Sequence, residues 1–445
     1  MEFFLSFLLL FVNLLDYEID VNRILFFTVS VIIVSLLFYT VYRKHRDFLC
    51  TCLILLCHTW QISWINIFGD PIDNLQLPWF YVFGALIVFY VIANLNTLKD
   101  KPVNALMLGV FVALVIISVY PALISRSKSE GLKEFLMIAF YIALVFVAFL
   151  KAGSLDEKKR EAVIDAYIYI VFLSSLFIIL QSVVYMTVGE TLFKYAIGNY
   201  FGNTMISAKL LMEDTSCSTI MLGSAVFYML ERINVKKKRA LNFLMIAITV
   251  IALALTTRRT SIVSLVAILC LYIFIRYKGV IKKVTMLVTF TAITVVMAFL
   301  LLVVRPVDDY SQVLNPNGRF ENYIDAINIF IANPLGVGYD NVHLASLMSE
   351  GIIPHNTMLR WMDMGGVFFS LLMMTVILYI WSSSYRKKLT GDFWVIFYSL
   401  FAMNFIPDIL NARFFVIPCM LALLSVPSKK EKPKEKLGAL LSGKV

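Results

Sequence analysis

The sequence predicts an all-α polytopic integral membrane protein of about fourteen transmembrane helices, with one large extracytoplasmic loop, on three observations. The chain is 60% hydrophobic and 14% aromatic with only 15% charged residues, and its mean hydropathy is +0.84. A soluble domain cannot hide that much apolar surface. Apolar runs near the length of a membrane helix recur from one end to the other. Basic residues fall unevenly on alternate loops. Helices satisfy their own backbone groups in lipid, so the class is all-α.

The runs are 3–15, 24–42, 48–67, 78–95, 104–123, 134–151, 164–188, 215–231, 240–256, 260–276, 284–304, 362–382, 391–409 and 412–426. The first is short, because thirteen residues of helix cover only about 20 Å. It has no basic n-region and no small-residue cleavage site, so it reads as a first span and not as a removable signal. With the N-terminus cytoplasmic, the inner segments are 42–47, 96–103, 151–163, 232–239, 276–283, 383–391 and the tail from 427, and they carry 27 of the 39 Lys and Arg. The other side has the longest loops and only 12, which agrees with the positive-inside rule. The chain then divides into spans 1–11 (1–304), a structured outer loop (305–361), spans 12–14 (362–426) and a basic cytoplasmic tail (427–445).

The net charge of +10 lies in inner loops and therefore does not argue for nucleic acid. The tail "KKEKPKEK" reads as a solvated segment at the anionic leaflet. Cys50, Cys52, Cys57, Cys217, Cys270 and Cys419 show no metal spacing and read as buried small hydrophobes. No internal repeat is evident.

Intramembrane charge is costly and usually functional, and the spans hold little of it. His58 lies mid-span, where hydrogen bonding to a neighbouring helix is the expected role, and Asp165 and Asp408 lie near span ends. Such scarcity counts against an ion-coupled transporter, which shows carboxylates or broken helices at mid-membrane.

The outer basic residues carry more information, because from 258 onward all are Arg: Arg258, Arg259, Arg305, Arg319, Arg360 and Arg413. Arg keeps its charge and presents a planar fork suited to phosphate oxygens. Arg258 and Arg259 occupy the tight turn "TTRRTS", with Thr260 or Ser261 placed to cap the next span, whose N-terminus adds positive potential. Together these make an anion site at headgroup depth, the alternative being two arginines snorkelling to lipid phosphates.

In the outer loop, "NGRFENYIDAINIFIAN" has Phe320, Tyr323, Ile324, Ile327, Phe330 and Ile331 at helical spacing. Asn317 can cap this helix, Arg319 sits in its first turn, and Pro334 stops it after Asn333. "NPLGVGYD" is a tight Gly-rich turn without the strand-then-helix setting of a nucleotide loop. "HLASLMSEG" predicts a short helix ending at Gly351. In "PHNTMLRWMDMGG", Pro354 biases Ile353 towards an extended form. His355 and Asn356 then start the helix that becomes span twelve. A helix N-terminus disfavours imidazolium, so His355 is a candidate proton acceptor; the alternative is a surface His capping a helix. Arg360 and Asp363 are spaced as a local i, i+3 pair. The acidic patches Asp16, Glu18, Asp20 and Asp308, Asp309 lack further ligands nearby in sequence and read as solvated carboxylates, so no metal is expected.

The run "GRFENYIDAINIFIANPLGVGYD…PHNTMLRWMDMGG" resembles the signature of the O-antigen ligase and polymerase superfamily: an Arg opening an amphipathic helix, Asn-Pro-Leu-Gly-x-Gly, a His-Asn pair about twenty residues on, and a Gly pair leading into the next span. "LTTRRTSIVSL" resembles that family's Ser-Arg-Gly step between two spans, although either Arg258 or Arg259 could be the matching residue. The resemblance implies a GT-C-like fold in the bacterial inner membrane, with the site on the periplasmic side and both termini cytoplasmic. It implies Wzy-type polymerisation of undecaprenyl-pyrophosphate-linked repeat units into O-antigen or capsule, or WaaL-type ligation of the glycan to lipid A-core, without metal or cofactor. By the same likeness Arg258 or Arg259, with Arg319, would hold the donor pyrophosphate, and His355 would act on the acceptor hydroxyl. Asn356, Arg305 and Arg360 are possible accessory residues. Implied partners are the lipid-linked donor and acceptor, membrane lipids, a chain-length regulator and a flippase, with no nucleic acid. A lipid-linked oligosaccharide transporter is the competing class.

Overall fold

The computed structural model describes residues 1–18, 23–59, 79–98, 104–188, 215–235, 238–256, 259–276, 279–280, 283–285, 288, 291, 319–406, 408–410 and 413–427. The side chains of 13–18, 23, 24, 186, 215, 216, 259, 319 and 320 lie outside that description. The helices are α1 (Glu2–Glu18), α2 (Arg23–His45), α3 (Phe48–Thr59), α4 (Trp79–Ala93), α5 (Ala105–Ile124), α6 (Lys128–Leu150), α7 (Glu157–Val188), α8 (Thr215–Asn234), α9 (Arg239–Leu255), α10 (Arg259–Arg276), α11 (Arg319–Ala332), α12 (Asn341–Leu347), α13 (Thr357–Arg386), α14 (Thr390–Ala402) and α15 (Val416–Leu424). Among the described residues there is no strand, only an isolated parallel bridge between Leu155 and Ser425.

The apolar run 284–304 lies mostly outside the described residues, with 284, 285, 288 and 291 helical. Each of the other apolar runs contains a helix, and the part of 48–67 beyond Thr59 lies outside the described residues. Within α2, α5, α6, α7 and α13 the segments Leu25–His45, Ala105–Ile124, Lys128–Leu150, Glu157–Tyr185 and Thr357–Arg386 are long and apolar enough to cross a membrane. α1, α3, α4, α9 and α10 contribute shorter apolar helices. The protein is thus an all-α, multi-pass membrane protein. The run 391–409 forms less helix than expected: α14 ends at Ala402 and a 3-10 turn follows at Met403–Phe405. Beyond it the Asp408 carboxylate accepts from the Leu410 N–H at 2.9 Å, a local bond that competes with helix formation.

Two polar anchorages hold the bundle. At the end assigned to the cytoplasm, Arg160 of α7 donates to Asp392 of α14 through Nε at 3.0 Å and Nη2 at 2.8 Å. The Tyr228 hydroxyl of α8 donates to the other Asp392 oxygen at 2.7 Å. Arg232 pairs with Asp165 at 2.7 Å. His58 is fully buried and its Nδ1 lies 2.9 Å from the Ser6 hydroxyl of α1, the interhelical bond expected of it. Cys50, Cys52, Cys57, Cys217 and Cys419 are buried, Cys270 partly so, and all are free thiols.

The second anchorage is built on α13, which packs against α5, α11, α14 and α15. Its helix is broken at Gly366 (φ 79°, ψ 177°). A break frees backbone groups that must find partners, and the Gly-rich turn after α11 supplies them. Val337 N–H donates to Asp363 O at 2.7 Å, Gly338 N–H to Met364 O at 3.1 Å, and Val367 N–H to Pro334 O at 2.9 Å. The two glycine motifs of the sequence are therefore one structural unit.

Candidate active site

The His-Asn pair sits where an extended segment turns into α13. Asn356 is the N-cap (φ −148°, ψ 113°), and its Oδ1 accepts from the N–H groups of Met358 at 3.0 Å and Leu359 at 3.1 Å. These are two of the orphan donors of the first turn. The capping role thus belongs to Asn356, and the imidazole of the half-buried His355 is not what caps the helix. The next residue, Thr357, fixes the same turn: its hydroxyl donates to Ile406 O at 3.1 Å and accepts from Ile409 N–H at 3.1 Å.

Tyr323 ties α11 to this point. Its hydroxyl lies 3.3 Å from His355 O and 3.2 Å from Asn404 O. Arg319 opens α11 four residues earlier, in the same helical register. The sequence expectation for α11 holds: it ends at Ala332, and the Asn333 N–H closes the last turn on Ile329 O at 2.8 Å. The expected cap, Asn317, lies outside the described residues. α12 starts earlier than expected, because Asp340 caps it by accepting from His343 N–H at 2.9 Å, and it ends at Leu347 rather than at Gly351.

The cap region is docked on the α5–α6 turn. Asp340 accepts from Ser127 N–H at 3.0 Å, and the Ser125 hydroxyl accepts from Tyr339 N–H at 2.8 Å. Burial by itself would raise the Asp340 carboxyl, but the backbone donors His343 and Ser127 hold it below the usual carboxylate range. Asp325 is likewise lowered by the Ser349 hydroxyl and amide, the amide donating at 2.9 Å.

Arg360, one turn into α13, is not where the sequence put it. The expected i, i+3 pair with Asp363 does not form. Instead its guanidinium is buried, 2% exposed, against Asp408 and Glu134. Nη2 is 2.6 Å from Glu134 Oε1 and 3.0 Å from Asn341 Oδ1, and Nη1 meets Asp408. Long-range carboxylates win because the bundle brings three segments to one guanidinium fork. Both Asp363 oxygens are buried without a hydrogen-bond partner among the described residues.

The remaining arginines divide by how much of them is described. Arg258 and Arg305 lie outside the described residues, as do Asp20, Asp308 and Asp309 and the side chains of Asp16 and Glu18. Arg259 is the first residue of α10, so Thr260 and Ser261 lie inside the helix rather than capping it. The Ser261 hydroxyl is buried against the Thr219 hydroxyl of α8. Its carbonyl lies 3.4 Å from the Tyr398 hydroxyl of α14, whose ring fits because Gly223 has no Cβ: one built there would fall 2.2 Å from that hydroxyl. α14 thus meets α10 two residues from Arg259, and the 3-10 turn after it meets Tyr323, whose hydroxyl also reaches His355 O. α10 meets α14 near Tyr398, while α11 and α13 meet the turn and loop that follow α14.

Tyr323, Glu134 and Asn341 escaped the sequence as participants here, and Asp408 stood out only as a carboxylate near a span end. Tyr323 carried one signal, its i+4 spacing from Arg319. Glu134 carried none, standing 226 residues from Arg360. Among the described residues, no group of three or more His, Cys, Asp or Glu could hold a metal.

Residues 244–374 match the O-antigen ligase family model. No curated protein matches the chain closely enough to serve as a relative. The matched stretch runs from α9 into α13 and contains Arg258, Arg259, Arg305, Arg319, His355, Asn356 and Arg360. The chain is thus a multi-pass membrane protein whose residues 244–374 are similar to the O-antigen ligase family.

Proposed function

We propose that this protein is a membrane glycosyltransferase that polymerises undecaprenyl-pyrophosphate-linked oligosaccharide repeat units into O-antigen or capsular polysaccharide. The observation that carries it is the family match over 244–374, the stretch that holds the starts of α10, α11 and α13. In this reading Arg259 (or Arg258) and Arg319 bind the donor pyrophosphate at two helix N-termini, where backbone N–H groups and the dipole favour anions. The oxygen of an acceptor sugar hydroxyl attacks the donor anomeric carbon as the bond to the pyrophosphate oxygen breaks. His355 takes the hydroxyl proton, and the arginines stabilise the charge gathering on the leaving pyrophosphate. A single displacement inverts the anomeric centre. No metal is needed, since two guanidinium groups supply the positive charge.

The same reading places fourteen spans in a GT-C-like arrangement in the bacterial inner membrane, with the cap outside and both termini cytoplasmic. It includes a chain-length regulator and a flippase as partners. A second reading, ligation of the finished glycan to lipid A-core, is favoured by the ligase description of the matching family. Purified protein incubated with lipid-linked repeat unit, with and without lipid A-core, separates the two. A size ladder from repeat unit alone supports the polymerase. Product formed only with lipid A-core supports the ligase. No product in either mixture rejects both.

A further inference from the structure

We infer that Arg360 binds no substrate and is instead the positioning residue that holds the His355 end of α13 in place. The inference goes beyond the proposed function and uses it only in taking His355 as the proton acceptor. It separates Arg360 from the arginines assigned to pyrophosphate, although sequence spacing alone groups them.

Three features of the guanidinium exclude a phosphate ligand. It is 2% exposed. Nε, Nη1 and Nη2 are all engaged, by Asn341, Asp408 and Glu134 together with Asn341. Its donors face the Asp408 and Glu134 carboxyl groups, which a pyrophosphate would have to displace.

The need for positioning follows from the break at Gly366. It cuts Thr357–Gly365 off from the longer remainder of α13. So short a helical segment has few internal hydrogen bonds to fix its direction, and it depends on tertiary anchors. Asn356 caps it, and Thr357 ties it to 406 and 409. Arg360, near its middle, bonds through its N–H to Asn356 O at 3.0 Å and through its side chain to α6, α12 and the 408 loop. Arg360 is the one of these three anchors that joins four segments at once. Its loss would free the turn that orients His355.

Arg360→Met strands Glu134 and Asp408 without their cation. The triple variant Arg360→Met/Glu134→Gln/Asp408→Asn removes the three charges together, and Asn at 408 can still accept from Leu410 N–H. Hydrogen exchange of 352–364 in nanodiscs reports the positioning without any assay of activity. Turnover of an undecaprenyl-pyrophosphate-linked oligosaccharide gives kcat and donor KM. In Arg360→Met, exchange across 352–364 rises at least about tenfold, kcat falls about 100-fold, as expected for a misplaced base, and donor KM stays within about threefold. The triple variant, which loses the anchor without stranding a charge, also shows raised exchange and lowered kcat at unchanged donor KM, and wild-type exchange with full turnover in it would overturn the inference.

Unchanged exchange in Arg360→Met overturns the inference. So does a triple variant that is ordered like wild type yet has a raised donor KM or no turnover, because Arg360 would then touch substrate. Should Arg360→Met not fold, the triple variant decides alone. Full activity in His355→Ala would remove the proton-acceptor reading while leaving the exchange result on Arg360 standing.

Discussion

Gly336 and Gly366 oppose each other so closely that neither can carry a side chain. A Cβ on Gly336 would lie 2.5 Å from Met364 O and 2.8 Å from Gly366 N, and one on Gly366 would lie 2.5 Å from Leu335 C. Both have positive φ, 89° and 79°, so an L side chain is strained at either whatever the space. The Gly-rich turn and the Gly pair, read from sequence as separate signals, close on one another and fix where α13 breaks. Gly336→Ala and Gly366→Ala should each cost about 2 kcal/mol or more. The double variant should cost less than the sum, because both disrupt one contact. Thermal unfolding in detergent measures all three, and additive losses would mean the two glycines act apart.

The assignment of roles is tested at the helix starts. His355→Ala and Arg319→Ala should each reduce chain elongation by at least about 100-fold with expression at the wild-type level. Of Arg258→Ala and Arg259→Ala, the larger loss identifies the pyrophosphate ligand. Full elongation in both His355→Ala and Arg319→Ala, read on a glycan ladder, would sink the assignment.

Metal independence makes a simple prediction. Turnover should survive EDTA, because guanidinium groups and not a cation would neutralise the leaving group. If chelation stops turnover and a divalent ion restores it, the acidic patches at 16–20 and 308–309 become the place to look.

The inner anchorage should matter for stability and not for transfer. Asp392 is fully buried and takes two bonds from Arg160. Removing one member of a buried pair leaves an uncompensated charge, at a cost of about 3–5 kcal/mol. Arg160→Met should lower the midpoint of thermal unfolding while leaving donor KM unchanged in the protein that remains folded. A wild-type melting midpoint would show that the pair is not holding α7 to α14.

Asp340 gives the cap a pH dependence with a definite sign. Its folded carboxyl is held below the unfolded value of about 4 by the Ser127 and His343 amides, against the opposing effect of burial. A depressed carboxyl stabilises above the unfolded pKa, and that contribution is lost as pH falls through the folded value. Proteolysis of 334–356 should therefore accelerate below about pH 4 in wild type. Asp340→Asn, whose single amide oxygen can replace only one of the two accepting oxygens, should be less protected at every pH but show a flatter profile. Equal acid sensitivity in the two would assign the effect elsewhere.

The sequence by itself determined the class of this protein and where the helices and glycine turns of its outer loop fall. Apolar runs located the helices because a span must be apolar over its whole length whatever it packs against. Arg319, His355, Asn356 and the two glycine motifs were visible because helix starts and positive-φ turns demand particular residues within a few positions. Tertiary structure alone decided the partners. Arg360 and Asp363 fit a local pair by spacing, but Glu134, Asn341 and Asp408 converge on Arg360 from α6, α12 and the loop after α14. Which carboxylate satisfies a buried guanidinium depends on how helices distant in sequence pack, and a one-dimensional pattern does not record that packing.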